Sequence, residues 1–513
     1  MSKSIDRVLV IDLGSQYTHL IARRVRELNV YSEIVDPEDL KLEDFTKNPP
    51  KAVILSGGPR SVYEEGSPKI PTWLLELNIP ILGICYGHQL LAYLLGGEVK
   101  RGVGEYGRTF IRIISKNSIF EGLENREVVW MNHVDYVSRP PENAEILAIS
   151  EETGYIAAFK IRDKPIYGLQ FHPEVYHTEK GSRILDNFLR ISGCERNWRI
   201  ENYLENMINE IREKIRINEK VLCAVSGGVD STVTATIIKR AVGDRLIPIF
   251  VNHGLLREGE AEEVLRNLRS IGIDPIYIDA SERFLSALRG VRDPEEKRRI
   301  IGYLFAEIFK EFSKKDPSIK WLAQGTTYPD VIESGRSRRA AKIKTHHNVG
   351  GLPEDLGLQL VEPIRYLYKD EVRRLGELLG VPKEILKRHP FPGPGLAVRV
   401  MGEVTKERLE IIRKATRILE EELKNHGLYD KVWQAFPVLL EEKWVGVVGD
   451  QRREGYILIL RIVESMDGMT ADWSRIPYEV LDKISRRITS EIPEIVMVSY
   501  AITSKPPATI EAQ

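Results

Sequence analysis

Residues 79–97 of the 513-residue chain read IPILGICYGHQLLAYLLGG. The apolar run at 79–85 predicts a buried strand, and the run at 87–97 predicts a helix closed by glycines. Between them, residues 83–87 (GICYG) have the glycine spacing of a sharp strand-to-helix turn that presents a nucleophile, with cysteine in the place of serine. The stretch therefore predicts both an α/β fold and a candidate nucleophile, Cys85.

The same alternation of strands and helices continues on both sides of this stretch. RVLVIDLG at 7–14 and KAVILSGGP at 51–59 predict buried strands, and later runs such as VVWMN and IYGLQF predict further strands. A polar amphipathic helix at 198–215 leads to a second series, which begins with the strand KVLCAV at 220–225. HPFPGPG at 389–395 is the densest Pro/Gly punctuation in the chain and marks a further boundary.

These patterns predict three domains, at 1–195, 196–392 and 393–513. The predicted fold class is α/β, with two doubly wound, mostly parallel-sheet domains followed by a small α+β C-terminal domain. Lys and Arg (74) balance Asp and Glu (75), which gives no support for a nucleic-acid partner. No apolar run reaches the roughly 18 residues of a membrane span, and no signal-peptide core is visible. Three cysteines without a CxxC spacing fit a cytoplasmic protein.

The first candidate site is centred on Cys85, because a helix N-terminus favours the thiolate form. His172 and Glu174 in the FHPE sequence sit two residues apart at a strand end and can point the same way, so they can act as base and orienting carboxylate. The turn at Gly58 and the backbone N–H of Tyr86 are candidates for stabilising an oxyanion. The alternative is a buried core cysteine beside ordinary turn glycines.

The second candidate site is SGGVDS at 226–231, which follows a predicted strand and opens a helix. Backbone N–H groups in such a turn form a cradle for anions, the hydroxyls of Ser226 and Ser231 add donors, and Asp230 is a candidate magnesium ligand. The sequence is neither a Walker A loop nor a Rossmann fingerprint. The alternative is an ordinary glycine-rich turn.

At SGGP, GICYGHQ and FHPE, residues 1–193 resemble the class I glutamine amidotransferases. The resemblance assigns the roles of nucleophile, base and carboxylate to Cys85, His172 and Glu174. It also implies that Gln89 and His133 help to hold glutamine, although the WMNHVD segment around His133 departs from the usual MSHGD.

SGGVDS is similar to the loop of the N-type ATP pyrophosphatases, which split ATP between the α- and β-phosphates. The resemblance implies an ATP site in which Val251 lines the adenine end, and the neighbouring Asn252 stands where the family usually carries Asp. The implied ATP-binding residues are Ser226, Gly227, Gly228, Val229, Asp230, Ser231, Thr232 and Val251.

Further segments, including GTTYPDVIESG at 325–335, RHPFPGPGLAVRVMGEV at 388–404 and TSKPPATIE at 503–511, resemble the GMP synthetase family over essentially the full length. The resemblance implies that XMP is adenylated by ATP and then aminated by ammonia from glutamine, giving GMP, AMP, diphosphate and glutamate. ATP would act as a substrate with Mg²⁺, there would be no organic prosthetic group, and the chain would form a homodimer. The implied XMP-binding residues are Arg336, Gln434, Asp450, Lys505, Thr509, Ile510 and Glu511, and the implied residues beside a mobile lid are Lys369 and Glu371.

Three other interpretations remain open at this point. A glutamine-dependent NAD synthetase would also join a glutaminase to an ATP pyrophosphatase, but it uses a nitrilase-type glutaminase without the Cys85 turn. A sensor that has lost catalysis should lack Cys85, His172 or Asp230, and all three are present. In the third interpretation, the chain binds a partner through a basic patch as a secondary role. The basic run at 335–347 is itself either a solvated loop or a lid that brings cations to phosphates.

Overall fold

The structure, a computed structural model, describes residues 6–116, 118–331, 357–448, 450–465, 471–505 and 507–512. The chain folds into two units, Met1–Arg199 and Ile200–Gln513. The predicted boundaries within the second unit stay a prediction, because one cluster of buried apolar side chains includes both Leu222 and Leu460.

The first unit is built on a nine-stranded sheet. Its strands are β1 (Arg7–Ile11), β2 (Tyr31–Val35), β3 (Ala52–Leu55), β4 (Ile81–Ile84), β5 (Glu98–Ile113), β6 (Arg126–Arg139), β7 (Ala144–Ser150), β8 (Ile156–Ile161) and β9 (Ile166–Leu169). They lie in the order β2-β1-β3-β4-β9-β8-β7-β5-β6. The first five of these are parallel, and the sheet continues from β9 to β6 through antiparallel pairs.

Helices cover both faces of this sheet, which is why its central parallel strands are apolar throughout. Val8 and Val10 of β1 belong to one buried cluster, and Leu9 and Ile11 belong to another. The helices of the unit are α1 (Thr18–Glu27), α2 (Leu42–Lys47), α3 (Tyr86–Leu94) and α4 (Gly181–Ile191).

The second unit contains a five-stranded parallel sheet in the order β12-β11-β10-β13-β14. These strands are β10 (Lys220–Ala224), β11 (Leu246–Asn252), β12 (Ile276–Asp279), β13 (Ile319–Ala323) and β14 (Gln359–Val361). The helices of this part are α5 (Ile200–Lys214), α6 (Val229–Val242), α7 (Glu260–Ser270), α8 (Ser281–Ala287), α9 (Pro294–Ser313), α10 (Lys369–Leu378) and α11 (Lys383–Leu386).

The C-terminal part of the second unit packs two helices, α12 (Lys406–Asn425) and α13 (Tyr478–Glu491), with a separate sheet. Its strands are β15 (Gln434–Val448), β16 (Gln451–Glu464), β17 (Asp472–Trp473) and β18 (Ile495–Tyr500). The hairpin β15–β16 is antiparallel, and β18 adds to β16 in parallel. The predicted fold class, two α/β parts followed by a small α+β part, is therefore confirmed. Within the described residues, no helix has the length and apolarity of a membrane span.

Candidate active sites

Cys85 occupies the sharp turn between β4 and α3 that the glycine spacing predicts. Its backbone has φ of 53° and ψ of −105°, a region that non-glycine residues rarely adopt. A Cβ atom on Gly83 would lie 2.4 Å from the Gly87 carbonyl oxygen, and one on Gly87 would lie 2.7 Å from the Leu55 carbonyl oxygen. Only glycines permit this close approach, so they hold the cysteine in a strained conformation at the start of a helix.

The structure brings His172 and Glu174 together with Cys85. Nδ1 of His172 lies 2.7 Å from Oε1 of Glu174, and both side chains are buried. Burial alone lowers the pKa of His172, but Glu174 and Cys85 raise it, and the net pKa is well above its ordinary value. The thiol of Cys85 also lies 3.8 Å from the Asn132 carbonyl oxygen.

The backbone around His172 is fixed by its neighbours on the sheet. The His172 N–H donates to the Trp130 carbonyl oxygen at 3.0 Å, and the Thr178 hydroxyl donates to the His172 carbonyl oxygen at 2.6 Å. The ring of Tyr17 meets the imidazole edge-on with 5.2 Å between ring centroids. The imidazole therefore has a defined orientation.

The turn that contains Gly58 lies against the same group of residues. A Cβ atom on the adjacent Gly57 would lie 3.2 Å from Cε1 of His172, and one on Gly58 would lie 3.0 Å from Cγ of Tyr86. The two predicted oxyanion donors, Gly58 and Tyr86, are thus neighbours in space, and their role stays a prediction.

Gln89 and His133, the two residues implied to hold glutamine, both contact the backbone of Asp135. Nε2 of Gln89 donates to the Asp135 carbonyl oxygen at 2.7 Å and lies 3.2 Å from Oε1 of Gln170. Nδ1 of His133 lies 2.9 Å from the same carbonyl oxygen. On the other side of its ring, Nε2 lies 3.0 Å from Oε2 of Glu105, an ion-pair distance without hydrogen-bond alignment. These nitrogens therefore have protein partners.

In the second unit, SGGVDS forms the turn between β10 and α6. The Ser226 and Ser231 hydroxyls are 3.0 Å apart, and the Ser226 N–H donates to the Ser231 hydroxyl at 3.2 Å. Gly227 has φ of +76°, and its Cβ would lie 2.3 Å from Cγ2 of Val264 on α7. Gly228 precedes the first turn of α6. The turn therefore presents two hydroxyls and a helix N-terminus at one place, an arrangement that suits an anion such as phosphate.

Asp230 of this turn pairs with one of the two implied lid residues. Nζ of Lys369 lies 3.1 Å from Oδ2 of Asp230. Burial lowers the pKa of Lys369, but Asp230 and Asp330 raise it, and the net shift is upward. Glu371 instead accepts a hydrogen bond from the Tyr368 N–H at 2.8 Å, which caps the start of α10.

A cavity of about 960 Å³ opens at the turn. Its lining includes Ser226, Asp230, Val251, Lys369 and the segment 388–394. This volume lies at the upper end of the range for small-molecule sites.

Two positions singled out in the sequence do not line this cavity. Thr232 is fully buried on α6. Asn252 donates to the Tyr277 hydroxyl at 2.9 Å and accepts from the Gly254 N–H at 3.0 Å, so it stabilises the turn after β11. Among the residues that the structure describes, no group of three or more His, Cys, Asp or Glu side chains is placed to hold a metal ion.

Arg388 is a residue of this site that the sequence patterns did not reveal. Its Nη1 donates to the Gly227 carbonyl oxygen at 3.2 Å, and its Nη2 pairs with Glu260 on α7. The prolines and glycines that follow Arg388 predict a domain boundary. Nothing in this segment indicates which residues the arginine contacts.

The predicted XMP-binding residues fall into two groups. Gln434 and Glu511 are in contact, with 2.5 Å between Nε2 and Oε1. Glu511 also accepts from Nε and Nη2 of the buried Arg399, at 3.2 and 2.9 Å. The Thr509 carbonyl oxygen accepts from Nη2 of Arg461 at 3.0 Å. Arg399, which was not predicted, therefore anchors the end of the tail.

The tail begins with Lys505, whose backbone forms an antiparallel bridge with Ala471, and continues through Ile510, which is half-buried. Asp450 lies elsewhere, at the turn of the β15–β16 hairpin with φ of +63°. Gln434 pairs with Val463 at the opposite end of that hairpin. Asp450 and Gln434 are therefore not brought together within one chain, and Arg336 lies outside the described residues.

Comparisons with known proteins cover both units of the chain. The family model for glutamine amidotransferase class-I matches residues 9–191, and the model for the GMP synthase C terminal domain matches residues 421–512. The chain is 57% identical over 508 residues to the glutamine-hydrolyzing GMP synthase of Pyrobaculum aerophilum, covering 99% of this chain and 100% of that protein. It is 54% identical over 506 residues to the protein of the same name from Aquifex aeolicus, covering 98% and 99%.

Among solved structures, a glutamine amidotransferase from Thermotoga maritima is 27% identical. The match covers 37% of this chain and 98% of that chain, with a TM-score of 0.31.

Proposed function

The chain belongs to the family of glutamine-hydrolyzing GMP synthases, and from this premise we propose how its own residues carry out glutamine-dependent GMP synthesis. The enzyme is a ligase of the glutamine amidotransferase type that uses XMP, ATP and glutamine. The proposal concerns the residues, the order of the steps and the assembly.

Glutamine is hydrolysed at Cys85. The thiolate attacks the carboxamide carbon, and the tetrahedral oxyanion forms beside the N–H groups of Gly58 and Tyr86. His172 gives a proton to the departing nitrogen, so ammonia leaves and a γ-glutamyl thioester remains on the sulfur. His172 then activates a water that hydrolyses the thioester to glutamate. Glu174 keeps Nδ1 of the ring protonated throughout, as its 2.7 Å contact allows. Gln89 and His133 shape the glutamine pocket.

XMP is activated at the SGGVDS turn. The hydroxyls of Ser226 and Ser231, the N–H groups of the turn and the N-terminus of α6 hold the leaving pyrophosphate, while Val251 lines the adenine end. A carbonyl oxygen of XMP attacks the α-phosphate, pyrophosphate leaves, and ammonia then displaces AMP to give GMP. None of these proposed steps uses an organic prosthetic group.

Magnesium enters with ATP in this proposal. Magnesium sites are often built from one or two carboxylates together with substrate phosphates, so the single carboxylate of Asp230 fits the role. The ion would neutralise charge on the phosphates. Lys369, which lies 3.1 Å from Asp230, would place its ammonium group beside the same phosphates.

The C-terminal part binds XMP and joins two chains. Lys505, Thr509 and Ile510 form the tail that faces the nucleotide, and Glu511 and Gln434 fix its end against Arg399. Asp450 lies at the far end of a long hairpin, so we assign it to the XMP site of a second chain in a homodimer. Arg336 would act from the lid. The three-domain division and the cytoplasmic location also belong to this proposal.

One observation carries the proposal: Cys85 sits on a strained turn beside a buried His172–Glu174 pair, in a different unit from the SGGVDS turn. Cys85→Ala should therefore lose glutamine-dependent GMP formation by about a thousandfold or more. With ammonium salts at a pH that supplies NH₃, the same variant should form GMP about as fast as the parent. GMP, AMP and pyrophosphate are measured with each nitrogen source.

Retention of glutamine-dependent activity by Cys85→Ala would show that the sulfur is not the nucleophile. Formation of ADP and phosphate, instead of AMP and pyrophosphate, would contradict the adenylation step.

A further inference from the structure

A second buried pair of ionisable side chains lies in the first unit, outside the Cys85, His172 and Glu174 group. Glu105 and His133 are directly opposite each other on the long strands β5 and β6. Their side chains are 1% and 2% exposed, and Nε2 of His133 lies 3.0 Å from Oε2 of Glu105. Charged side chains are costly to bury, so a fully buried pair of this kind calls for a structural or functional reason.

The surroundings of Glu105 favour its ionised form. Its Oε1 accepts hydrogen bonds from the hydroxyls of Ser150 and Thr153, the latter at 3.1 Å. Burial raises the pKa of this carboxyl, but His133 and the two hydroxyls lower it, and the net shift is downward. Glu105 is therefore a fixed negative charge facing the imidazole of His133.

From His133 the contacts continue to the nucleophile. Its other ring nitrogen, Nδ1, lies 2.9 Å from the Asp135 carbonyl oxygen. The same oxygen receives Nε2 of Gln89, and the Gln89 backbone N–H donates to the Cys85 carbonyl oxygen at 3.1 Å. Within the same stretch of β6, the Asn132 carbonyl oxygen lies 3.8 Å from the Cys85 sulfur. One short segment thus touches the nucleophile at one end and its helix at the other.

We propose that Glu105 is a positioning residue for glutamine hydrolysis, acting through His133 to hold the segment 132–135 against Cys85 and α3. It acts at a distance from the sulfur, through a chain of contacts. The inference rests on the proposed function of Cys85, and it goes beyond that function by adding a residue from another strand to the site. Misplacement of reacting groups by about 1 Å can cost on the order of a hundredfold in rate.

The test replaces Glu105 by glutamine, which keeps the size and the acceptor for Ser150 and Thr153 but removes the charge. Glu105→Gln should lower the kcat of glutamine-dependent GMP formation by about tenfold to a hundredfold. Ammonia-dependent GMP formation by the same preparation should be unchanged, because the other unit is intact. Glu98→Gln is the matched control, since Glu98 is a surface residue on the same strand that pairs with Lys100, and it should leave both activities unchanged.

Glu105→Asp keeps the charge on a shorter side chain. Its kcat for glutamine-dependent GMP formation should fall less than that of Glu105→Gln, and its ammonia-dependent activity should again be unchanged. It carries the test alone if Glu105→Gln does not fold. Unchanged glutamine-dependent activity, or an equal loss with glutamine and ammonia, would overturn the positioning role. Cys85→Ala in the same assay separates this outcome from a failure of the proposed function, because an active Cys85→Ala enzyme would remove the premise itself.

Discussion

The charge state of His172 depends on a balance between burial and two acidic neighbours. The imidazole is excluded from water, which alone would keep it neutral, and Glu174 reverses that tendency. In the resting site the raised pKa favours an imidazolium beside the sulfur, the charge distribution in which a cysteine is most reactive. The carboxylate is therefore expected to control both the reactivity of Cys85 and the response of this unit to pH.

Glu174→Gln tests this balance. Without that charge the largest contribution that raises the pKa of His172 is removed while burial still lowers it, so the pKa of His172 should fall. A histidine with a raised folded-state pKa stabilises the fold below its ordinary pKa, and that stabilisation is lost as pH rises through the raised value. We therefore expect the melting temperature of the parent's first unit to fall over that range as pH rises, and the variant to lack this fall. Differential scanning calorimetry across pH, with NMR titration of the ring, measures both.

An upward or unchanged His172 pKa in Glu174→Gln would contradict this account. Glutamine-dependent activity should also fall, by on the order of the ten-thousandfold known for the equivalent change in a serine protease.

Some residues of the first candidate site can be predicted from the sequence, and others cannot. GICYG and FHPE carry their chemistry in the residue types, so the sequence could predict that Cys85, His172 and Glu174 meet. The Asn132 carbonyl oxygen has no side-chain signature, and Glu105 stands among glycines in a stretch whose sequence does not predict a strand. Their proximity to the site follows only from the pairing of β5 with β6.

At the scale of elements, the β5–β6 hairpin is longer than the sequence predicts. In the sequence, the apolar runs TFIRII (109–114) and VVWMN (128–132) predict strands here, whereas β5 runs through Glu98–Ile113 and β6 through Arg126–Arg139. Glycines at 102, 104 and 107 interrupt the apolar alternation of β5, and glycine weakens strand propensity. Cross-strand pairing along nearly the whole length outweighs that local preference.

The turn before α6 and the start of α10 form the other element pair with a clear consequence. Asp230→Ala removes the partner of Lys369 and the candidate magnesium ligand together, so GMP formation from glutamine and from ammonia should both be abolished. Asp244→Ala is the matched control, because Asp244 is exposed beyond the other end of α6 and pairs with Lys239. Normal ammonia-dependent synthesis by Asp230→Ala would show that the turn has only a structural role.

At the scale of the whole molecule, the far end of the β15–β16 hairpin exposes apolar side chains. Trp444, Val445 and Val447 are 52%, 45% and 74% exposed. Clustered apolar side chains at the surface favour association. This observation, together with the position of Asp450 beyond the reach of Gln434, supports the proposed homodimer. The sequence alone could not predict that Asp450 and Gln434 lie far apart, because both residues stand in one strand-rich region.

Val447→Asp should weaken the dimer and raise the XMP concentration needed for half-maximal rate much more than that for ATP or glutamine. Light scattering should give twice 58.6 kDa for the parent and a lower mass for the variant. Val103→Asp, which changes an equally exposed valine in the first unit, should leave both properties unchanged. A monomeric parent with normal XMP use would contradict the assignment of Asp450 to a second chain.

The backbone at Cys85 has a consequence for the history of this chain. Positive φ at a residue other than glycine costs on the order of 1–3 kcal/mol, a large share of the 5–15 kcal/mol by which a typical domain is stable. Glycine at position 85 would relax that strain while it removed the sulfur, so under the proposed role of Cys85 this substitution would give a more stable protein without glutaminase activity. A lineage supplied with free ammonia would gain from that exchange. With the proposed role of Cys85, a cysteine at this strained position is therefore expected to persist only where glutamine supplies the nitrogen.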